Sequence, residues 1–382
     1  MSDATVDVIV FAGPTGPSAP ERLMAGAQTA NALDLVELAL ACPLVGRVLV
    51  ATTEADLAAE LISDRRVIVD RDDGAVPFHF GRRLLDVVER YGVDRPLYFG
   101  ANSAPLFSAD ALRDLCGRLL AAERTVIANT VRSANFFGFT PAAALRRVEL
   151  PVDQDNVLPT LLARLGGLQI EALEPTYECL FDVDTPADLA VLKLQGSAKP
   201  HVRRYLDAAG LDSSRYEAVM PLLVARHADL TLVGRVATQI WGKVPSDIVP
   251  GYKRLYVEER GMKASGREAR GEVRSLIGHL LEVAGPERLF AFLAGFSDAI
   301  FFDTRVLFHH LHLGLSTADR FASDLGDVHG IQDPTARAFT AAALACDEPV
   351  ILGGQNVVAS GLWALAQEAW NRADAGLLPP EA

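Results

Sequence analysis

The chain has 382 residues, of which 50% are hydrophobic and 22% are charged, as is typical of a globular protein, and this length predicts two domains. Asp and Glu outnumber Lys and Arg by 49 to 36, and the resulting net charge of -13 excludes a surface that binds nucleic-acid phosphates non-specifically. The four cysteines form no CxxC pair, which argues against a zinc ribbon or a disulfide framework. No apolar run is long enough for a membrane helix, and the short run near the N-terminus follows acidic residues. We therefore expect no signal peptide, no membrane partner and a cytoplasmic protein.

The first half of the chain alternates strand-like and helix-like segments. The predicted strands are residues 6–12, 45–52, 65–70, 95–101, 125–131 and 168–174, and the predicted helices are residues 23–41, 54–62 and 80–92. Such alternation predicts an α/β fold, with a mostly parallel, Rossmann-like sheet and helices on both faces. Ligands of sheets of this kind bind beyond the carboxyl ends of the strands.

The second half consists mainly of long helix-like segments, and this change begins around residues 194–202. Its predicted helices cover residues 213–228, 267–285, 335–346 and 359–373, and Ser214 with Glu217 predicts a capping box at the start of the first of them. We therefore expect an α/β domain over residues 1–196, followed by a mainly α-helical domain of unknown role over residues 197–382. A homodimer could form through this second domain.

The loop after the first predicted strand, FAGPTGPSAPERLMAG, is rich in glycine and proline. Its glycines would let backbone N–H groups approach a phosphate closely, and Arg22 would bind a phosphate through two hydrogen bonds. The candidate nucleotide-binding residues of this loop are Ala12, Gly13, Pro14, Gly16 and Ser18. The spacing matches neither GxGxxG nor the GxxxxGK[ST] loop, and a turn without any ligand explains it equally well.

The segment FDVDTPADL, residues 181–189, places Asp182 and Asp184 directly before a predicted helix. Two carboxylates at this position would suit a divalent metal ion held against a phosphate. A helix start explains the same residues without a ligand: Thr185 would be the N-cap, Pro186 the first helical residue, and Asp188 an acidic residue in the first turn.

These two segments and PLYFGANSAPLFSADAL, residues 96–112, together resemble nucleotidyltransferases of the GT-A type over about residues 6–195. That group includes the molybdenum-cofactor guanylyltransferase, phospholactate guanylyltransferase and sugar nucleotidyltransferase families. The resemblance implies a nucleoside triphosphate or nucleotide-sugar in the first loop and Mg²⁺ held by Asp182 and Asp184. It further implies that Arg22 and Asp184 are catalytic. Asn102 and Ser103 would lie beside the nucleotide, whereas Asn129, Asp155 and Asn156 would face a small phosphorylated substrate.

The chain departs from the pattern of these families at two positions. The families carry a lysine in the first loop, but the first lysine of this chain is Lys193. They also carry an aspartate after a central strand, where this chain has Asn102 and Ser103, and neutral oxygens hold Mg²⁺ more weakly than a carboxylate does.

Three functions remain open on this sequence. The first is an enzyme that transfers a nucleotidyl group from a nucleoside triphosphate to a phosphorylated small molecule and releases pyrophosphate. The second is a catalytically degenerate protein that binds a nucleotide or a nucleotide-sugar, and the third, less well matched, is a GT-A glycosyltransferase.

Two segments of the second half carry candidate sites as well. Residues 252–274 mix basic and acidic side chains, which is typical of a salt-bridged surface, although Arg254, Arg260 and Lys263 would also suit an anion pocket. Asp303 and His310 are spaced to share one face of a helix, which fits a metal or acid/base site. Hydrogen-bonded, partly buried histidines explain that spacing better, because no HExxH motif is present.

Overall fold

The structure is a computed structural model that describes residues 4–13, 16–61, 64–72, 77–148, 152, 154–238 and 248–378. The described residues fall into two compact units. The first comprises those within Met1–Thr15, Ala25–Asp182 and Lys199–Tyr205, and the second those within Gly16–Met24, Val183–Ala198 and Leu206–Ala382. The predicted domain boundary at residue 196 stays a prediction.

A seven-stranded sheet forms the centre of the first unit. Its strands are β1 (Val6–Ala12), β2 (Val45–Thr52), β3 (Val67–Arg71), β4 (Pro96–Gly100), β5 (Thr125–Ala128), β6 (Phe136–Thr140) and β7 (Gln169–Ala172). They lie in the order β3-β2-β1-β4-β6-β5-β7, and every neighbouring pair is parallel except those that involve β6. The predicted mostly parallel α/β fold is therefore confirmed, with β6 as a strand that we did not predict.

Helices cover both faces of this sheet. Alternate residues of a strand point to opposite sides, so its buried strands present apolar side chains on both faces. The helices are α1 (Ala19–Ala41), α2 (Ala55–Glu60), α3 (Phe80–Arg90), α4 (Ala109–Ala121), α5 (Leu158–Arg164) and α6 (Tyr177–Leu180). Val8 and Val10 of β1 pack with buried residues of α1 and α4. Ile9 and Phe11 pack with buried residues of α3 and α5. The sheet therefore lies between two hydrophobic layers.

The second unit is mainly helical, as predicted, and it also contains a smaller sheet that we did not predict. Its strands are β8 (Asp229–Gly234), β9 (Tyr252–Val257), β10 (Ala299–Asp303) and β11 (Val350–Gly353), in the order β11-β10-β8-β9 with all neighbours parallel. Its helices are α7 (Pro186–Leu194), α9 (Ser214–Val224), α10 (Leu276–Ala284), α11 (Pro286–Ala294), α12 (Thr304–His310), α13 (Thr317–Leu325), α14 (Pro334–Leu344) and α15 (Ser360–Asp374). Between α7 and α9, α8 spans Pro200–Ala208.

Two predicted helix starts in this half are wrong. The N-cap of α9 is Ser213 instead of Ser214, and the Ser213 hydroxyl donates to Glu217 Oε1 at 3.0 Å. The predicted helix over residues 267–285 begins only at Leu276, where the Ser275 side chain accepts from the N–H of Gly278. Gly271 has a positive φ of 65°, a left-handed conformation that interrupts the helix before that point.

None of the helices in the described part of the chain combines the length and the apolar character needed to cross a membrane.

Candidate functional site at the carboxyl edge of the seven-stranded sheet

The carboxyl edge of the first unit's sheet brings together polar residues from three loops. Strands β1, β4 and β5 end there, and the N–H of Ala101 donates to the carbonyl of Phe11 at 2.8 Å, which joins the ends of β4 and β1. Strand β6 runs antiparallel to β5, so it begins at the edge where β5 ends. Asn135, which directly precedes β6, therefore lies at the same edge. Gly13, Asn102, Ser103, Asn129 and Asn135 all follow or precede strands at this edge. It is the location at which sheets of this kind bind ligands.

Asp182 reaches this edge through an isolated antiparallel β-bridge with Ser103. The Asp182 side chain is buried, with 8% of the residue exposed, and the amide of Asn135 donates to its Oδ2. The hydroxyl of Ser103 donates to the carbonyl of Gly100 at 2.7 Å. A buried carboxylate thus lies beside the Asn135 amide at this edge, bridged to the loop that carries Asn102 and Ser103.

Asn129 ties two loops of this site together. Its amide donates to the carbonyl of Cys179 at 3.2 Å, and its Oδ1 accepts from the N–H of Asn135 at 3.0 Å. Both the amide nitrogen and the amide oxygen of this buried side chain therefore form hydrogen bonds within the protein. Asn135, which the sequence analysis missed, is positioned by this bond to hold Asp182.

The loop after β4 is fixed by two side chains from distant segments. Asn31 of α1 donates to the carbonyls of Ala101 and Ser103 at 2.8 and 2.9 Å. The ammonium of Lys199 donates to the carbonyl of Pro105 at 2.5 Å. Burial lowers the pKa of Lys199 to about 8, with the charge of Asp34 acting against this shift. Lys199 belongs to the first unit, and the sequence analysis gave it no role.

Asp155 and Asn156, the other predicted substrate residues, also make contacts within the protein. Asp155 Oδ2 accepts from the hydroxyl of Tyr98 at 3.1 Å, and burial, followed by the charge of Asp155, raises the pKa of that tyrosine. The amide of Asn156 donates to the hydroxyl of Ser133 at 3.1 Å. Their binding of a second substrate stays a prediction.

The loop after β1 contains a helix cap. In the first unit Gly13 is exposed, whereas Pro14 lies outside the described residues. Gly16–Met24 belong to the second unit. There the N–H of Ser18 donates to Glu21 Oε2 at 3.1 Å, and the N–H of Glu21 donates to the Ser18 hydroxyl at 3.3 Å. This reciprocal pair is a capping box at the start of α1, and the S-x-x-E spacing in the sequence could have revealed it.

The carboxylate of Glu21 lies against the loop in which the sequence predicted a phosphate. A Cβ atom built on Gly16 would lie 1.9 Å from Glu21 Oε1, so the carboxylate lies directly against this glycine. The hydrogen bonds from Ser18 lower the pKa of Glu21, which keeps it ionised. Arg22 is exposed, and its guanidinium donates to the carbonyl of Pro17. Phosphate binding by Gly16, Ser18 and Arg22 stays a prediction.

The predicted helix start in FDVDTPADL is confirmed, and Asp188 is its central residue. Thr185 is the N-cap and Pro186 the first residue of α7. Asp188 Oδ2 accepts from the N–H groups of Asp184 and Thr185 at 2.9 and 2.7 Å and from the Thr185 hydroxyl at 3.0 Å. The Asp184 side chain is exposed and belongs to the second unit, whereas Asp182 belongs to the first. The metal and catalytic roles of Asp184 stay predictions.

The burial of Asp188 predicts how stability changes with pH. Burial, followed by the charge of Asp184, raises the pKa of Asp188 to about 8, whereas an unfolded aspartate titrates near about 3.9. Between these values the folded protein holds a proton that the unfolded chain releases, so stability falls as the pH rises through this range. Asn at this position keeps an acceptor oxygen and has no proton to lose. We therefore expect the melting temperature of wild type to fall relative to that of Asp188→Asn between pH 6 and pH 9.

Differential scanning fluorimetry across this pH range measures the difference. Asp110→Asn, at an exposed aspartate, is the matched control and should follow wild type. The lowered pKa of Lys199 acts equally on all three proteins and cancels in the comparison. Parallel profiles for wild type and Asp188→Asn would show that Asp188 is ionised throughout.

The candidate sites of the second half are not formed as the sequence suggested. Arg254 donates to the carbonyl of Phe296 at 2.6 Å and pairs with Asp229 at 3.2 Å. Arg267 forms two hydrogen bonds with Glu259, as expected for a salt-bridged surface. The structure therefore favours that interpretation of residues 252–274 over an anion pocket.

His310 and Asp303 have separate partners. Asp303 Oδ2 accepts a hydrogen bond from Arg235 Nε at 2.6 Å. His310 lies near His279 and Glu282, an arrangement with the composition of a metal site. However, His310 Nδ1 accepts from the N–H of Ser275 at 3.2 Å, which places the ring proton of the neutral form on Nε2. That nitrogen is then a donor toward Glu282 at 3.5 Å and no metal ligand.

Comparison with known proteins gives structural matches alone. No protein-family model matches the chain, and no curated protein matches it. A protein from Desulfovibrio desulfuricans G20 named as a nucleotide-diphospho-sugar transferase matches with a TM-score of 0.40 and 13% identity, over 54% of this chain and 96% of its own. A cytidylyltransferase from Leptospira borgpetersenii serovar Hardjo-bovis matches with a TM-score of 0.39 and 15% identity, over 54% and 93%. A nucleotidyl transferase from Methanothermobacter thermautotroptrophicus matches with a TM-score of 0.34 and 19% identity, over 54% and 97%.

Over about half of its length, the chain is thus similar to nucleotide-handling transferases of known structure. At these TM-scores the similarity carries no argument about activity.

Proposed function

We propose that the carboxyl edge of the seven-stranded sheet binds a nucleoside triphosphate and transfers its nucleotidyl group to a small phosphorylated molecule. The observation that supports this most strongly is the buried carboxylate of Asp182, held by Asn135 and bridged to the loop after β4. The sequence resemblance to GT-A nucleotidyltransferases supports the same location. Asp182, Asn135 and Ser103 belong to the first unit, whereas the resemblance also includes Gly16, Arg22 and Asp184 of the second unit.

Mg²⁺ fits this proposal through Asp182. In proteins Mg²⁺ is commonly bound by one or two carboxylates together with substrate phosphates and water. In the loop after β4, Asn102 and Ser103 would add neutral side-chain oxygens, so Asp182 would supply the negative charge. When bound, the ion would neutralise charge on the phosphates of the nucleotide.

The proposed reaction is a displacement at phosphorus. An ionised phosphate oxygen of the acceptor attacks the α-phosphorus, and the bond between that phosphorus and the α–β bridging oxygen breaks. Pyrophosphate leaves with the bonding electron pair, and no proton is transferred. Asn31 and Lys199 would act as positioning residues, since they hold the backbone of the loop beside Asp182.

A second candidate function is nucleotide or nucleotide-sugar binding without turnover. The observation that favours it is that Asn102 and Ser103 follow β4 where the related families carry a metal-binding aspartate, because neutral oxygens hold Mg²⁺ more weakly than a carboxylate does. Such a protein would bind its ligand and release no pyrophosphate.

A thermal-shift screen against ATP, GTP, CTP, UTP and common nucleotide-sugars, each with and without Mg²⁺, separates these functions. Ligand at 100 times its dissociation constant stabilises the folded state by about 2.7 kcal/mol, which is readily detected. We expect a Mg²⁺-dependent shift with one triphosphate, followed by pyrophosphate release when the correct acceptor is supplied. A shift with a nucleotide-sugar and no turnover would favour the binding function, and no shift with any of them would contradict both.

We also propose a homodimer formed through residues 197–382. Light scattering measures the molar mass of the protein in solution, and a mass equal to that of one chain at all concentrations would contradict the dimer.

A further inference from the structure

Three side chains with the chemistry of metal ligands meet between α1 and α8 in the first unit. Asp34 and Glu37 are three positions apart on α1, so they share one face of that helix, and His201 lies in the first turn of α8. One ligand atom from each of the three lies within 4.8 Å of the other two. None of these residues belongs to the site proposed for the nucleotide.

Asp34 is a buried carboxylate without an ion-pair partner. Only 2% of the residue is exposed, and within the described part of the chain it forms no salt bridge. Its Oδ1 and Oδ2 accept from the backbone N–H groups of His201 and Val202 at 3.0 and 2.9 Å. The ammonium of Lys199 is close enough to feel the charge of Asp34, but it donates to the carbonyl of Pro105. Buried charges in proteins are paired or bind metal ions, so the charge of Asp34 suits a cation.

The two N–H groups orient Asp34 and leave its oxygens able to bind an ion. A carboxylate oxygen has two lone pairs, and each oxygen of Asp34 accepts one of these hydrogen bonds. Carboxylates that bind metal ions are themselves held by hydrogen bonds of this kind, which fix their direction. Asp34 therefore keeps a lone pair on each oxygen for an ion shared with Glu37 and His201.

His201 can adopt the tautomer that a metal ligand needs. Its Nε2 lies 2.8 Å from Glu37 Oε1, and its Nδ1 has no hydrogen bond to any described residue. The proton of the neutral ring can therefore lie on Nδ1, which leaves the lone pair of Nε2 for a metal ion. The group around His310 differs, because there the N–H of Ser275 holds Nδ1 as an acceptor.

An ion can reach this group from the solvent. The side chain of Glu37 is 63% exposed and that of His201 is 20% exposed, so no opening of the core is required. One imidazole nitrogen and two carboxylate oxygens suit a four-coordinate Zn²⁺ whose last position is taken by water. Mg²⁺ and Ca²⁺ prefer oxygen ligands alone, so the imidazole favours a transition metal.

We propose that Asp34, Glu37 and His201 bind one divalent transition-metal ion, with Zn²⁺ as the best match, and that this ion holds α8 against α1. Asn31 lies one turn before Asp34 on α1, and Lys199 lies two residues before His201. Both side chains hold the loop after β4, so the ion would stabilise the support of that loop. The site is structural and does not depend on the nucleotidyl transfer proposed above.

Titration calorimetry of the full chain with Zn²⁺, in buffer that contains millimolar Mg²⁺ to fill sites that prefer oxygen, tests this inference. We expect wild type to bind one Zn²⁺ per chain, and Zn²⁺ should raise its melting temperature because the ion binds the folded state. In His201→Gln the affinity should fall by at least about tenfold, since even replacement of a residue that orients a metal ligand costs about 10–100-fold. Glu37→Gln alters an exposed side chain, so it provides a second test if His201→Gln fails to fold, and the same loss is expected there.

His279→Gln is the matched control, because it removes a histidine from the group that contains Glu282 and His310. It should bind Zn²⁺ like wild type. The proposal is overturned if wild type binds no Zn²⁺, or if every variant of His201 or Glu37 that folds binds it as wild type does. Loss of the binding in His279→Gln would place the ion in the other group and would equally contradict the proposal.

Discussion

Asp182→Asn is expected to weaken Mg²⁺-dependent triphosphate binding by about tenfold or more while the protein remains folded. The amide oxygen of Asn still accepts from Asn135, so the local hydrogen bond is kept. The negative charge is lost, and neutral oxygens hold Mg²⁺ more weakly than a carboxylate does. Titration calorimetry with the triphosphate found in the screen, in the presence of Mg²⁺ and then of a chelator, measures the change.

Asp110→Asn is the matched control for this experiment, because Asp110 is an exposed aspartate of α4 in the same unit. It should bind the triphosphate as wild type does. If Asp182→Asn bound the triphosphate with unchanged affinity and unchanged dependence on Mg²⁺, Asp182 would have no role in holding the ion.

Asp324→Asn is expected to destabilise the protein by about 3–5 kcal/mol. Arg305 and Asp324 form a buried ion pair, with side-chain exposures of 9% and 0%. Removal of the carboxylate charge leaves the guanidinium buried without its partner, and this cost exceeds the loss of the hydrogen bonds alone. Urea unfolding followed by circular dichroism gives the free energy of unfolding.

The double variant Arg305→Met/Asp324→Leu separates loss of the pair from loss of packing. Apolar replacement of a whole buried pair is often neutral or stabilising, so the double variant should be more stable than Asp324→Asn. A change of less than about 0.5 kcal/mol in Asp324→Asn, the range of ordinary surface substitutions, would mean that water reaches Arg305 in the native state.

The first sheet was predictable because short apolar, strand-like runs alternate with helix-like segments along the first half of the chain. Six of its seven strands lie within or overlap the predicted segments. Strand β6, with the sequence FFGFT, was missed because a short, fully apolar run has no alternating pattern. Strand β10 of the second unit was missed for the same reason, since its sequence AIFFD is buried throughout.

The site was predictable only where its residues are close in sequence. Asp182 and the helix start at Thr185 stand in one recognisable segment. Asn135 and Lys199 act through contacts with residues 47 and 94 positions away, and no local pattern indicates such contacts. The capping box of Ser18 and Glu21 is different, because its spacing was present in the sequence and the phosphate interpretation of the loop obscured it.

Hydrogen exchange measured by mass spectrometry, with and without saturating triphosphate and Mg²⁺, tests the central proposal most directly. A ligand at the carboxyl edge of the seven-stranded sheet should protect the backbone of residues 100–103 and 129–135 and the segment around Asp182. Protection of residues 304–324 alone would place the nucleotide in the second unit and contradict the proposed site, as would the absence of protection anywhere in the chain.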